Sequence, residues 1–153
     1  MTPEEKLREL KLELPPAPKP VGAYVPAVRT GNLVFISGQL PFKGGELIAR
    51  GHVSGEVSLE VAQACARQAC LNALAVLAAE TGGLSKVVRI VRLTGHVSSD
   101  RGFTDQAKVL NAASELLVQV FGDAGRHSRA TLGAAELPLG ATVELELIAE
   151  VSG

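Results

Sequence analysis

Residues 58–80 read SLEVAQACARQACLNALAVLAAE, a run of 23 residues that contains neither glycine nor proline. Alanine and leucine dominate the run, and both are strong helix formers. Its apolar residues recur at the spacing of one helix face, namely Val61, Cys65, Ala69, Ala73 and Leu77. Gly82 and Gly83 follow, as is typical of a helix end. We therefore predict one long core helix that begins at Ser58.

Short β-prone runs lie on both sides of this helix. Before it, residues 23–28 and 33–37 predict a hairpin that turns at residues 30–32. Residues 46–49 predict a short third strand after a small glycine turn. After the helix, alternating β-branched residues predict a strand over residues 87–97.

The C-terminal third of the chain predicts a second helix and two more strands. The helix covers residues 104–121, and Gly122 ends it. The strands cover residues 129–137 and 141–151, and the second alternates apolar and acidic residues. We expect these two strands to pair as a hairpin around the turn Pro138-Leu139-Gly140.

This order of elements predicts one α+β domain in which a single mixed sheet is backed by two helices on one face. A chain of 153 residues suits one ordinary hydrophobic core. The strand residues that face away from the helices include enough Val, Ile and Ala to leave a large apolar patch in water. We therefore expect a homo-oligomer that covers this face.

Residues 1–20 are predicted to form an N-terminal segment, followed by a domain of residues 21–153. Thr2, Pro3 and Glu5 make a helix start, so a short helix over about residues 3–12 is expected. Four prolines in residues 14–20 then favour an extended connector. Packing against a neighbouring subunit is one use for this helix.

Composition argues against several classes of function. A net charge of -1 gives no general attraction for polyphosphate, and 3% aromatic residues leave little for nucleic-acid bases to stack on. We therefore expect no nucleic-acid partner. The charged N-terminus lacks the apolar core of a signal sequence, and no uninterrupted apolar run reaches membrane length. We expect a cytoplasmic protein with no membrane partner.

Cysteine and histidine spacing argues against metal and disulfide chemistry. Cys65 and Cys70 lie five residues apart on the predicted helix, so they do not share a face and are expected to pack in the core. His52, His96 and His127 lack metal-ligand spacing. Glycine-rich phosphate loops are also missing from the sequence. We predict no metal and no cofactor.

Four segments resemble the reactive-intermediate deaminases, the YjgF-type proteins formerly called endoribonuclease L-PSP. They lie in order and at comparable spacing over residues 21–151: VGAY at 21–24, ISGQLP at 36–41, Arg129 followed eight residues later by Leu137-Pro138, and VELE at 143–146. The resemblance implies a chorismate-mutase-like α+β fold. It also implies a trimer whose sheets form a central barrel, with ligand clefts between subunits.

The resemblance further implies hydrolysis of 2-imino acids, or their enamine tautomers, to 2-keto acids and ammonia. Arg129 matches the family arginine that binds the substrate carboxylate, and its planar guanidinium suits a bidentate contact. Glu144 matches the family acid that holds a water, which it can orient or deprotonate for attack on the C=N carbon. Without the resemblance, Arg129 is more typical of a solvated surface residue or ion-pair partner, and Glu144 and Glu146 are typical of the polar side of a strand.

Other site residues follow from the same resemblance. Tyr24 matches a cleft residue, and Ser37 and Gly38 match a backbone segment against the ligand. Asn111 lies near a family asparagine on the second helix, although the loop before Arg129 is one residue longer here. Thr131 stands where the best-known members carry cysteine, so thiol chemistry is excluded at that position.

The predicted hairpin sets how far apart the two central residues lie. Turning about Leu139 pairs Glu144 near Ala135, which leaves Arg129 on the order of 20 Å away at ~3.3 Å per residue. Both residues then meet one ligand only across a subunit boundary. His127 precedes Arg129 by two residues, so it can share that strand face.

Three functions remain open from the sequence. The first is an imine deaminase that acts on a small carboxylate-bearing metabolite. The second is a module that binds a keto acid or similar metabolite without turnover, as Thr131 and the longer loop before Arg129 allow. The third is RNA cleavage or inhibition of translation, which the charge and the few aromatic residues oppose.

Overall fold

A five-stranded mixed sheet carries two long helices on one face in the computed structural model, which describes residues 1–18 and 22–153. The strands are β1 (Ala27–Thr30), β2 (Leu33–Gln39), β5 (Val87–Ser98), β6 (Ser128–Ala134) and β7 (Val143–Val151). A separate two-stranded hairpin consists of β3 (Phe42–Lys43) and β4 (Glu46–Leu47). The helices are α1 (Pro3–Glu9), α2 (Leu59–Thr81) and α3 (Gln106–Phe121). The predicted α+β class, with a mixed sheet backed by two helices, is confirmed.

Helix α2 matches its prediction at both ends. The Ser58 hydroxyl accepts the Val61 N–H at 3.2 Å, and Gly82 ends the helix in the left-handed region at φ 82°. Cys65 and Cys70 are free and buried on this helix, and burial raises the pKa of their thiols to about 11 and about 12. Both cysteines are therefore inert core residues, as predicted.

By length and composition α2 would also suit a membrane span, the only such helix in the described ranges. However, 67% of its most apolar window is buried inside the fold. The helix packs against α3, β2 and β7, which account for its apolar character. The described residues therefore contain no helix that needs a membrane.

The N-terminal segment folds back on its own chain. Thr2 and Glu5 form the predicted capping box, with bonds of 2.8 and 3.1 Å. The Leu7 side chain is buried in the core, and the Glu4 carboxylate accepts the Ser85 hydroxyl at 2.8 Å. Helix α1 ends at Glu9 rather than near residue 12, because the backbone enters the left-handed region two residues later. In the connector that follows, residues 19 and 20 lie outside the described ranges.

Strand order differs from the prediction at the C-terminus. The sheet runs β1-β2-β7-β5-β6, so β6 and β7 are not neighbours and the predicted hairpin between them is wrong. Strand β6 pairs in parallel with β5, and α3 provides the crossover that a parallel pair requires. Strand β7 instead lies between β2 and β5, antiparallel to both.

The face of the sheet that points away from the helices is partly apolar. Val28, Phe35 and Leu132 are 53%, 40% and 52% exposed there. Val28 pairs with Phe35, and Phe35 pairs with Ile148, which joins them in one row across three strands. The apolar patch expected from the sequence is therefore present, and the oligomer that would cover it stays a prediction.

Candidate functional site

Arg129 lies on β6 with its side chain directed at α3. Its Nη1 donates to Asn111 Oδ1 at 2.8 Å and to Ser114 Oγ at 3.2 Å. Asn111 and Ser114 are three residues apart on one helix, and therefore share a face. No carboxylate forms an ion pair with Arg129 among residues 1–18 and 22–153. The half-buried guanidinium is thus held from one end, without a counter-ion in the described chain.

His127 joins this group through Ser114. Its Nε2 lies 2.9 Å from Ser114 Oγ, and its Nδ1 lies 2.6 Å from the Gly125 carbonyl oxygen. Because a carbonyl only accepts, Nδ1 carries a proton, and in the neutral ring Nε2 accepts the Ser114 hydroxyl. The Ser114 oxygen then accepts from Arg129. The structure thus brings His127 beside Arg129, on the side that the sequence predicted.

A second group of predicted residues lines a cavity of about 540 Å³ at the other side of the sheet. Tyr24, Ser37, Gly38 and Glu144 all border it, together with apolar residues that include Phe42 and Leu139. Tyr24 lies before β1 rather than inside a strand, and its ring is 55% exposed. Val21, the first residue of the VGAY segment, lies outside the described ranges.

Gly38 lies directly against the Glu144 carboxylate. A Cβ on Gly38 would lie 2.7 Å from Glu144 Oε2, so any larger residue would displace the carboxylate. The register of β2 shifts between Ile36 and Gln39, which marks an irregularity at this point of the strand. The Ser37 hydroxyl donates to the Val25 carbonyl at 2.7 Å and holds the preceding segment beside the cavity.

Burial raises the pKa of the Glu144 carboxyl above its ordinary value. His96, which pairs with Glu144 across β5 and β7, opposes this rise, and the Glu146 carboxylate adds to it. A half-buried carboxyl with a raised pKa is suited to exchanging protons with a water or a substrate. Among the predicted site residues, Glu144 therefore has the electrostatics of an acid–base group.

The two groups of residues do not meet within one protomer. Glu144 alternates with the buried Val143 and Leu145, so it faces away from the helices, whereas Arg129 contacts α3. Arg129 of β6 pairs with Leu93 of β5, which pairs with Leu147 of β7. Leu147 is three residues from Glu144 along β7, and β7 is the second strand from β6 in the sheet. That places the Cα atoms of Arg129 and Glu144 about 14 Å apart by strand geometry, and the larger separation expected from a hairpin is wrong.

Thr131 is also on the helix side of β6, two residues beyond Arg129. It pairs with Gly95 of β5, and its side chain is half-buried. Ser114 is the residue that the sequence interpretation missed. Its signal was its position three residues after Asn111, which puts both on the same helix face.

Within the described ranges, no group of three or more His, Cys, Asp or Glu side chains could hold a metal ion. His52 instead lies between acidic and carbonyl acceptors near the end of β6. Its Nδ1 is 2.9 Å from Glu56 Oε1, and its Nε2 is 2.6 Å from the Ala135 carbonyl and 3.3 Å from Glu136 Oε1. This arrangement raises the pKa of His52 to about 9, chiefly through the hydrogen bond with Glu56.

A family model described as "YjgF/chorismate_mutase-like, putative endoribonuclease" matches residues 4–151, nearly the whole chain. This chain belongs to the YjgF family. The resemblance inferred from four short segments is thereby confirmed, and the match begins inside α1 rather than at residue 21.

Two curated relatives align over most of their length. Protein TCP17 of Trypanosoma cruzi is 37% identical over 147 residues, which cover 95% of this chain and 92% of the relative. The 2-iminobutanoate/2-iminopropanoate deaminase of Dermatophagoides farinae is 33% identical over 137 residues, covering 90% and 92%. Imine deamination is thus represented among proteins similar to this one.

Solved structures agree with the same fold. The protein Atu1372 of Agrobacterium tumefaciens, whose function is unknown, is 40% identical with a TM-score of 0.92, covering 98% of this chain and 92% of that chain. TdcF of E. coli, solved with bound serine, is 26% identical with a TM-score of 0.62, covering 89% and 94%. The YjgF fold of this chain therefore extends through its N-terminal segment.

Proposed function

We propose that this protein hydrolyses small 2-imino acids, or their enamine tautomers, to 2-keto acids and ammonia. The observation that carries the proposal is the Arg129 guanidinium, which α3 holds by one nitrogen and which has no acidic partner in residues 1–18 and 22–153. A substrate carboxylate fits the remaining donors with two parallel charge-assisted bonds. The deaminase name of the Dermatophagoides relative supports the reaction type.

In this proposal the cleft lies between subunits of a homotrimer. Arg129 of one protomer binds the carboxylate, and Glu144 of its neighbour faces the imine carbon from the cavity beside Gly38. The opposite orientation of the two side chains within a single protomer supports a shared site. Tyr24 and Ser37 would border the ligand, and Asn111 and Thr131 would flank Arg129. We place the reaction in the cytoplasm.

The chemistry needs one carboxyl group and one water. Glu144 removes a proton from the water as its oxygen attacks the C=N carbon, and the nitrogen takes up a proton, which forms a carbinolamine. Glu144 then carries the carbinolamine hydroxyl proton to the amine nitrogen, the C–N bond breaks, ammonia leaves, and the keto group forms. A raised pKa makes Glu144 a better acceptor for the proton of the water, which it then returns.

The direct test is imine hydrolysis by the parent protein and Arg129→Ala, with imines produced in situ by an amino-acid oxidase. We expect the parent to accelerate ammonia release and Arg129→Ala to lose about a hundredfold in kcat/KM, because a charge-assisted anchor is removed. Arg101→Ala, at an exposed arginine in the turn after β5, is the matched control and should keep the parent rate. An Arg129→Ala variant that hydrolyses imines as fast as the parent would contradict the proposal.

A binding module without turnover is the second candidate, and the serine bound to E. coli TdcF favours it. It predicts that 2-ketobutyrate raises the melting temperature of the parent through linkage, while imine hydrolysis stays at background. The same ligand should not change the melting temperature of the Arg129→Ala variant. These two measurements together separate the enzyme from the module.

A further inference from the structure

A groove of about 860 Å³ lies between the N-terminal segment and the body of the fold, away from both groups of site residues. The segment forms one wall, with Arg8, Lys11 and the stretch through Pro16. Helix α2 forms the floor, with Arg67 and Leu71, and the β3–β4 hairpin region supplies the far wall. None of its lining residues borders the Glu144 cavity or contacts Arg129.

Positive charge reaches this groove from both walls and from the floor. Arg8 and Lys11 come from the N-terminal segment, Arg67 from α2 and Lys43 from β3, against a single acid, Glu13. Among residues 1–18 and 22–153, none of these four cations takes part in an ion pair or a side-chain hydrogen bond. In a chain of net charge -1, four unpaired cations in one groove favour an anionic occupant.

Lys11 occupies a backbone position that suits glycine. Its φ is 59°, directly after the last residue of the α1 cap. Leu12 N–H donates to the Leu7 carbonyl and Lys11 N–H to the Arg8 carbonyl, both at 2.9 Å, which is the pattern of a glycine-ended helix. A lysine here is strained, and it places its charge in the groove.

The floor and far wall of the groove are held rigidly together. The buried Asn72 side chain donates to the Leu40 carbonyl at 2.9 Å and to the Phe42 carbonyl at 3.0 Å. Gln68, which lines the groove, donates to the Asn72 side-chain oxygen at 3.1 Å. These bonds tie α2 to the segment that leads into Lys43, so the backbone positions of Arg67 and Lys43 are held relative to each other.

We propose that this groove is a second binding site that takes a small organic anion with at least two negative charges and an apolar portion. The two arginines suit carboxylate or phosphate oxygens, and the lysines add point charges. Apolar side chains complete the lining and would receive the uncharged part: Leu12, Leu14, Pro15, Pro16, Ile48 and Leu71. The lining residues include no aromatic side chain on which RNA bases could stack.

The test is calorimetric titration at constant ionic strength with three probes: phenyl phosphate, pyrophosphate and citrate. We expect the parent to bind at least one of them and Arg67→Gln to lose roughly tenfold in affinity, as is typical of one charge-assisted contact. Arg101→Gln, a basic residue outside the groove, is the matched control and should bind as the parent does. Arg129→Gln removes the carboxylate anchor of the proposed deaminase cleft, so binding that persists in Arg129→Gln and weakens in Arg67→Gln belongs to the groove.

Lys11→Gly gives the sharpest comparison because the proposal predicts opposite effects on stability and binding. Relief of the left-handed strain should raise the melting temperature by about 2 °C, while loss of the charge weakens binding of the same probe. Absence of binding by all three probes would overturn the proposal. So would an unstructured RNA 20-mer that binds more tightly than the small anions and loses affinity in Arg67→Gln, or a change of oligomeric state in that variant.

Discussion

At the scale of single residues, Arg129 takes its orientation from α3 rather than from its own strand. Both of its hydrogen bonds leave from Nη1, and Ser114, one of the two acceptors, is itself bonded to His127. His127 in turn is held by the Gly125 carbonyl. A chain of three bonds therefore runs from the backbone before β6 to the guanidinium, so Ser114 and His127 act as positioning residues.

Ser114→Ala should weaken carboxylate binding without abolishing it. The change removes one of the two acceptors of Arg129 Nη1 and leaves the Asn111 bond in place. One hydrogen bond is worth about 1 kcal/mol, so we expect roughly a fivefold loss of 2-ketobutyrate affinity by calorimetry. In the imine assay the loss should fall on KM rather than on kcat, because Ser114 does not touch the reacting carbon.

Two serine variants control this experiment. Ser114→Thr keeps the hydroxyl and should keep most of the affinity. Ser128→Ala removes the hydroxyl next to Arg129 in sequence, which donates to the Val91 carbonyl and not to the guanidinium. Equal losses in Ser114→Ala and Ser128→Ala would contradict the positioning role.

At the scale of elements, the end of β6 is held by a contact that the sequence interpretation did not include. His52 binds Glu56 within its own loop and reaches the Ala135 carbonyl and Glu136, directly after β6. Arg50 bridges to Ala141 in the same connection. These contacts hold the chain directly after β6 against the loop before α2.

Because of His52, we expect the free energy of unfolding to fall as the pH becomes alkaline. Its pKa is raised to about 9 from an ordinary 6.5, so its contribution is fully present below pH 6.5 and is lost as pH rises through 9. The midpoint of urea unfolding should therefore differ most between the parent and His52→Gln at pH 6, and the difference should shrink by pH 9.5. A difference in midpoint that stays constant from pH 6 to pH 9.5 would show that the charged form of His52 does not stabilise the protein.

The Glu56→Gln variant tests the cause of the raised His52 pKa. It removes the acid at Nδ1, the largest cause of the raised pKa, and leaves the ring in place. The alkaline loss of stability should then occur at a lower pH than in the parent. At acidic pH the parent should lose the Glu56 contribution as well, because hydrogen bonding to His52 lowers the pKa of this carboxyl.

At the scale of the whole molecule, one protomer carries two incomplete halves of the proposed site. Arg129 is on the edge strand and directed at α3, whereas Glu144 opens on the other side of the sheet. The exposed row of Val28 and Phe35 on that second side is apolar. Association of three copies through this face would cover the row and bring halves of neighbouring protomers together.

Mixing two inactive variants tests the shared site. Arg129→Ala and Glu144→Gln proteins, unfolded and refolded together in equal amounts, should recover about a quarter of parental imine hydrolysis, since random assembly pairs the two intact halves at that frequency. Each variant refolded alone should remain inactive, and the parent refolded alike sets full recovery. Mass measurement should give a trimer throughout. Absence of recovery in a mixed trimer would contradict a site shared between neighbouring protomers.

The sequence by itself determined the local structure and the family. The cap at Ser58, the glycine after α2 and the 3.6-residue spacing are local signals, so α2 was predicted at both ends. The alternation of β7 predicted which residues are buried, because side chains of a strand alternate between its faces. The short motifs around Gly38, Arg129 and Glu144 were sufficient to identify the YjgF family.

Only the tertiary structure decided which strands are neighbours and which site residues meet. Alternation specifies the face of a strand but not its partner, so the sequence left β7 free to pair with β6, β5 or β2. Placing it between β2 and β5 put Glu144 beside Gly38 and His96, and parallel pairing put Arg129 against α3. These contacts join residues far apart in the chain, where packing of the whole core selects the arrangement.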